Sequence, residues 1–119
     1  MAIVNANTDR NSINGAVLLN YALGNADTGS AFTLPIAVDI TAQAVGTFGG
    51  ATVLVEGSND AINWNTLGAN VGTNLSFTST GLRKAAENPA YIRASTTGGT
   101  GTAVNVVIAL HARFSKVGY

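Results

Sequence analysis

Asp60 stands four residues before Trp64, the single tryptophan of the chain, in the stretch EGSNDAINW at 56 to 64. Acids and small polar residues ahead of an aromatic ring admit three readings: a calcium loop, a platform for a sugar or base, or a tight turn between strands. Calcium takes about six to eight oxygens, and an EF-type loop needs an acid at its twelfth position. Counted from Asp60 that position is Val71, so the calcium pattern fails. Asp and Asn side chains bond their own backbone two residues on. Ser58, Asn59 and Asp60 are therefore expected to make a turn. Trp64, opening the next strand, is expected to anchor it to the core. Removal of a buried ring, Trp64→Ala, would cost about 3 to 5 kcal/mol.

The other reactive groups are sparse. His111 is the only histidine and cysteine is absent, so neither a zinc set nor a thiolate nucleophile can be assembled. The strand surroundings of His111 lack a nucleophile elbow. Five acids, Asp27, Asp39, Glu56, Asp60 and Glu87, show no spacing that singles out a catalytic pair. TTGGTGT at 96 to 102 has glycines but neither the P-loop lysine nor a following helix, and reads as a hairpin loop. Arg83 and Lys84 are adjacent, and Glu87 four places after Arg83 suits a local ion pair. No catalytic residue, cofactor, metal or small-molecule substrate is expected.

The elements that must hold these residues are strands. Short alternating runs are separated by Gly, Asn, Asp and Thr, and helical periodicity is nearly absent. Runs at 15 to 23, 31 to 44, 51 to 57, 63 to 68, 74 to 80, 90 to 96 and 102 to 114 read as strands. In the second, Phe32, Leu34, Ile36, Val38 and Ile40 share a face, and Pro35 implies an edge or a bulge. In the last, Val104, Val106, Ile108 and Leu110 face one way. GLRKAAENP at 81 to 89 is the one place for a helical turn. Seven or eight strands in this length imply an all-β, antiparallel two-sheet β-sandwich, jelly-roll or immunoglobulin-like, spanning 15 to 119. Residues 1 to 14 are polar and aperiodic, and read as an extended N-terminal arm that orders on a partner. Ile3, Val4 and Arg10 are its candidate partner-binding residues.

Composition narrows the function classes. The chain has 119 residues, with six basic and six acidic side chains, and only 10% of it is charged. An average domain carries about 25%. Ser, Thr and Asn supply 34 residues instead. A neutral, charge-poor chain has no footprint for nucleic acid or an anionic membrane. It suits either a domain kept soluble by amides and hydroxyls or a subunit covered by its neighbours. The N-terminal stretch does not read as a signal peptide, and no apolar run reaches the length of a membrane span.

ATVLVEGSNDAINWNTL, followed by AYIRASTTGGTGTAVNVVIALHARF, resembles a pattern in small virion structural proteins of tailed bacteriophages. There a strand leads into G-S-N-D-G-x-x-W, and a later Y-x-R-A strand runs through a Gly/Thr hairpin into a long final strand. The resemblance covers about residues 51 to 114. Ala61 stands where that pattern has glycine. The resemblance implies a capsid decoration (cement) protein that self-associates as a homotrimer, contacts the major capsid protein or other virion proteins, and resides in the virion after synthesis in the host cytoplasm. A tail or fibre component is an alternative. Another is a carbohydrate-binding module, with Trp64 and one of Tyr21, Tyr91 or Tyr119 as its platform. No catalytic residue comes with the resemblance.

Overall fold

The computed structural model describes residues 3–10, 17–34, 38–70 and 72–112. These residues form an all-β sandwich of two packed sheets. The strands are β1 (Ile3–Val4), β2 (Asn7–Arg10), β3 (Val17–Leu23), β4 (Thr28–Gly29), β5 (Phe32–Thr33) and β6 (Val38–Thr47). They continue with β7 (Thr52–Ser58), β8 (Asn65–Thr66), β9 (Ser76–Phe77), β10 (Gly81–Lys84), β11 (Tyr91–Thr97) and β12 (Ala103–Ala112). The first sheet has the order β1-β4-β11-β7-β8, with β5 beside β11 and β9 beside β7. The second has the order β10-β6-β12-β3-β2. The short β1–β4 pair is parallel, and every other pairing of named strands is antiparallel.

Period-two alternation sets the core. β12 sends Val104, Val106, Ile108 and Leu110 inward, and β3 sends Leu19, Tyr21 and Leu23. The first sheet answers with Val53, Val55, Ile92, Ala94 and Phe77. A one-residue slip would turn each strand's apolar set outward, so burial holds the register. Tyr21 is wholly buried, and its hydroxyl donates to the Ser30 carbonyl at 2.7 Å. Burial pushes its phenol up to about 12, against a smaller opposing pull from Arg93. Gly29 makes room for that ring, because a Cβ there would lie 2.6 Å from Tyr21 Cε1 and 2.2 Å from the Ala94 carbonyl oxygen.

Three expectations meet a different structure. The 31 to 44 run is not one strand: β5 belongs to the first sheet and β6 to the second, so the chain changes sheets between them. Pro35 and Ile36 lie outside the described residues. Residues 81 to 84 are not helical but form β10, paired with β6 from Gly81↔Ala44 to Lys84↔Thr41. Backbone hydrogen bonding to a neighbouring strand overrides the local helix preference of Leu, Arg, Lys and Ala there. The expected N-terminal arm is, over residues 3–10, built into its own chain. β1 borders the first sheet on β4, and β2 borders the second on β3. This segment spans the rim between the sheets, with Ala6 N donating to Ser30 Oγ at 3.0 Å.

Candidate functional site

Gly57 and Ser58 end β7, and the chain then turns back into β8. Ser58, only 5% exposed, starts the turn. Its hydroxyl donates to Asp60 Oδ1 at 2.9 Å and accepts from the amides of Asp60 and Ala61 at 3.2 and 2.9 Å. The Asp60 carboxylate accepts from the amides of Ile62 and Asn63 at 2.9 and 2.8 Å, and from Asn63 Nδ2 at 2.8 Å. The Asn63 amide contributes most to holding the Asp60 carboxyl well below the usual carboxylate range. The Ile62 amide, the Asn63 side chain and the Ser58 hydroxyl follow. Ala61 sits at φ 62°, in the left-handed region that favours glycine. The residues expected to turn the chain are thus bonded to one another.

A second loop braces the first. Asn59 Oδ1 accepts the amide of Ala90 at 3.0 Å, and Glu87 Oε1 accepts the amide of Gly68 at 2.6 Å. Pro89 lies so close to Gly57 that a Cβ there would stand 2.5 Å from Pro89 Cγ. Between the loops lies an open cleft of about 450 Å³ whose rim includes Asn63, Asn65, Asn88 and Glu87. The helical Arg83–Glu87 spacing does not arise in an extended chain. Arg83 instead donates to the Ser76 carbonyl at 2.8 Å and covers the Phe77 ring.

Trp64 is not part of the buried core; it is half-buried. Residue parity explains the difference from expectation. Thr66 pairs with Glu56, whose neighbours Val55 and Gly57 point inward, so Thr66 and Trp64 lie on the outer side of the first sheet. The Trp64 ring reaches Arg93, whose guanidinium carbon lies 4.2 Å from the ring centroid. Arg93 Nε also donates to Glu56 Oε1 at 2.9 Å, and Ser95 Oγ donates to the same oxygen at 3.0 Å. Arg93 and Glu56 are opposite one another in the β11–β7 register. Their side chains are 22% and 15% exposed, and Ser95 is 6% exposed although it faces outward. The outer side of the first sheet is thus closed by the chain's own polar and aromatic groups.

The outer side of the second sheet differs. Register defines its rows. One row runs Leu82, Gln43, Val107, Asn20, Asn7 from β10 to β2. The row on one side holds Val45, Asn105 and Ala22. The row on the other holds Lys84, Thr41, Ala109 and Leu18. Among the described side chains of these rows charge enters at Lys84 on the β10 edge, with Asp39 and His111 one register step beyond. Leu82 is 64% exposed and Val45 45% exposed.

Of the arm residues, Ile3 is 72% exposed on the β1 border and Val4 packs against the core. Arg10 pairs with Val17 at the end of β2. Of the aromatic partners considered for a sugar platform, Tyr21 is interior, Tyr91 is half-buried and Tyr119 lies outside the described residues. Among the described residues no three His, Cys, Asp or Glu side chains gather as a metal-binding group. The uncharged rows are the feature that residue-by-residue reading missed. Their signal was present in the outward positions of 41 to 45 and 103 to 109, and it needed the strand order to become a surface. No family model matches the chain, and no curated protein or solved structure matches it either.

Proposed function

We propose that this chain is a non-enzymatic structural protein of a tailed-bacteriophage virion, of the capsid decoration or cement type. In this reading it self-associates and docks on the major capsid protein or another virion protein. The observation that carries the reading is the outer side of the second sheet, where rows of Val, Ala, Leu, Asn and Gln lie without a central charge. Contact patches between proteins are depleted in Lys, Glu and Asp at their centres. The virion assignment rests on the resemblance over residues 51 to 114, which contains β7 through β12. Many copies would bridge neighbouring shell subunits, each contact modest and the sum large through multivalency. The site of action is then the virion, after synthesis in the host cytoplasm. Nucleic acid, membrane and small-molecule substrates have no part in it.

The resemblance implies a homotrimer, and light scattering after size exclusion counts the copies as multiples of 12.0 kDa. Shells stripped of the chain supply the second readout. Saturable binding that raises their melting temperature supports the cement reading. Absence of binding to shells, with binding to isolated tails, would replace it by the tail or fibre reading. The amide-lined cleft beside Asn63 and Asn88 favours a carbohydrate-binding module as a second reading. Saturable glycan binding with a shift in Trp64 fluorescence would support that module.

A further inference from the structure

We infer that the cleft between the turn at 58–63 and the loop at 87–89 binds one neutral hexose ring of a glycan, with the Trp64 ring outside the contact. The inference rests on the carbohydrate reading given second above and moves its site from an aromatic platform to an amide-lined cleft. It does not draw on the virion reading.

Position and rigidity are the first support. Asn65 lies opposite Gly57 in the β7–β8 register, on the other side of the sheet from Thr66. It therefore shares the inner side with Leu67, which is buried, yet Asn65 itself is exposed where the sandwich ends. Gly57 has no side chain to fill that place. A Cβ there would stand 2.5 Å from Pro89 Cγ and 2.7 Å from Leu67 Cδ2. The result is an apolar floor beneath polar walls. The Asp60 carboxylate fixes one wall through Ile62 and Asn63. Asn59 joins that wall to the other at Ala90, and Glu87 pins the second wall to Gly68. A cleft held open in advance spares the ligand the cost of ordering it. Its volume of about 450 Å³ lies within the range of about 300 to 1,000 Å³ usual for small-molecule sites.

Lining chemistry is the second support, and it selects the ligand. Among the described residues no Lys, Arg, His or aromatic ring lines the cleft. A phosphate, sulfate or carboxylate would find no countercharge there, and Asp60 and Glu87 would repel it. Ionised carboxylates only accept, whereas the amides of Asn63, Asn65 and Asn88 both donate and accept. Such a set matches a ligand whose groups donate and accept without carrying charge, which is the chemistry of sugar hydroxyls. The C–H face of a pyranose ring suits the floor of Leu67 and Pro89. Trp64 stands between Asn63 and Asn65 in the chain but turns to the outer side, against Arg93. Its fluorescence therefore reports binding through those neighbours without touching the sugar.

Titration of the full isotope-labelled chain with the methyl glycosides of glucose, galactose and mannose, in EDTA and followed by amide chemical shifts, tests the inference. Saturable shifts centred on Asn63, Asn65 and Asn88 are expected with at least one of the three, with a Kd on the order of 1 mM, as an open polar site gives. The matching uronic acid should bind about tenfold more weakly. Asn65→Ala should weaken binding roughly fivefold with an unchanged circular dichroism spectrum, and Trp64→Ala should leave it within about twofold. Binding lost in Trp64→Ala and kept in Asn65→Ala would retain the carbohydrate reading at an aromatic platform and overturn the cleft. Uronate binding as tight as that of the neutral glycoside would overturn it too, as would shifts at these residues with calcium chloride alone and none with sugar. No saturable shift with any of the three sugars would remove the cleft and the carbohydrate reading together, while shell binding would still decide the cement reading by itself.

Discussion

The two outer sides of the sandwich solve the same problem in opposite ways. On the first sheet, outward-facing groups are satisfied within the chain: Glu56 takes Arg93 and Ser95, and Trp64 lies against Arg93. On the second, the central outward rows are small, amide-bearing or apolar, and Val45 and Leu82 stand exposed. The difference teaches where stability and association are encoded. Substitutions on the first outer side should change folding. Substitutions on the second should change what the folded chain meets.

The largest effect is expected from Arg93→Ala. It strips Glu56 of its ionic partner and Trp64 of its guanidinium, and should cost about 2 to 3 kcal/mol in urea unfolding. A loss below about 0.5 kcal/mol would erase the contrast between the two sides. Trp64→Ala should cost about 1 to 2 kcal/mol, less than the figure for a buried ring, because this one is half-buried and outside the core cluster. Ala61→Gly should stabilise by about 0.5 kcal/mol, since glycine relieves the left-handed backbone at that position and returns part of the gain as unfolded-state entropy. Val107→Ser should change monomer stability by less than about 0.5 kcal/mol while lowering association, which thermal melts at two concentrations separate.

Acid provides a test of the turn in particular. The folded Asp60 carboxyl titrates below its ordinary value of 3.8. Its contribution is therefore fully present above that value and is lost as pH falls toward the folded one, because the unfolded chain takes up the proton first. Asp60→Asn should flatten the acid limb of stability as pH falls below about 4, measured by urea midpoints, and leave the profile near neutral pH unchanged. An acid limb unchanged by this substitution would remove Asp60 from the turn's energetics.

Much of the fold was legible where the alternation was long. β3, β7, β11 and β12 were readable because a period of two over seven or more residues leaves one face apolar. β10 was not, since four residues of good helix formers carry no sign of the β6 strand that pairs with them. Trp64 was misplaced for a related reason. Its apolar bulk suggests the core, while its side of the sheet depends on counting from Gly57 through a turn whose length the residues leave open. The Ser58–Asn59–Asp60 turn was legible in kind, because its bonds are local. The brace from Glu87 to Gly68 spans nineteen positions and leaves no local trace.

β12 occupies the centre of the second sheet, between β6 and β3, although both neighbours precede it by more than fifty positions. On the ribosome, then, β3 and β6 emerge with open edges and wait for residues 103 to 112 before that sheet can close. Such non-local pairing is slow, and unpaired strands of a charge-poor chain are prone to join those of other nascent chains. Chaperone occupancy should persist until Ala112 has cleared the exit tunnel, so β12 acts as the timer for the whole sheet.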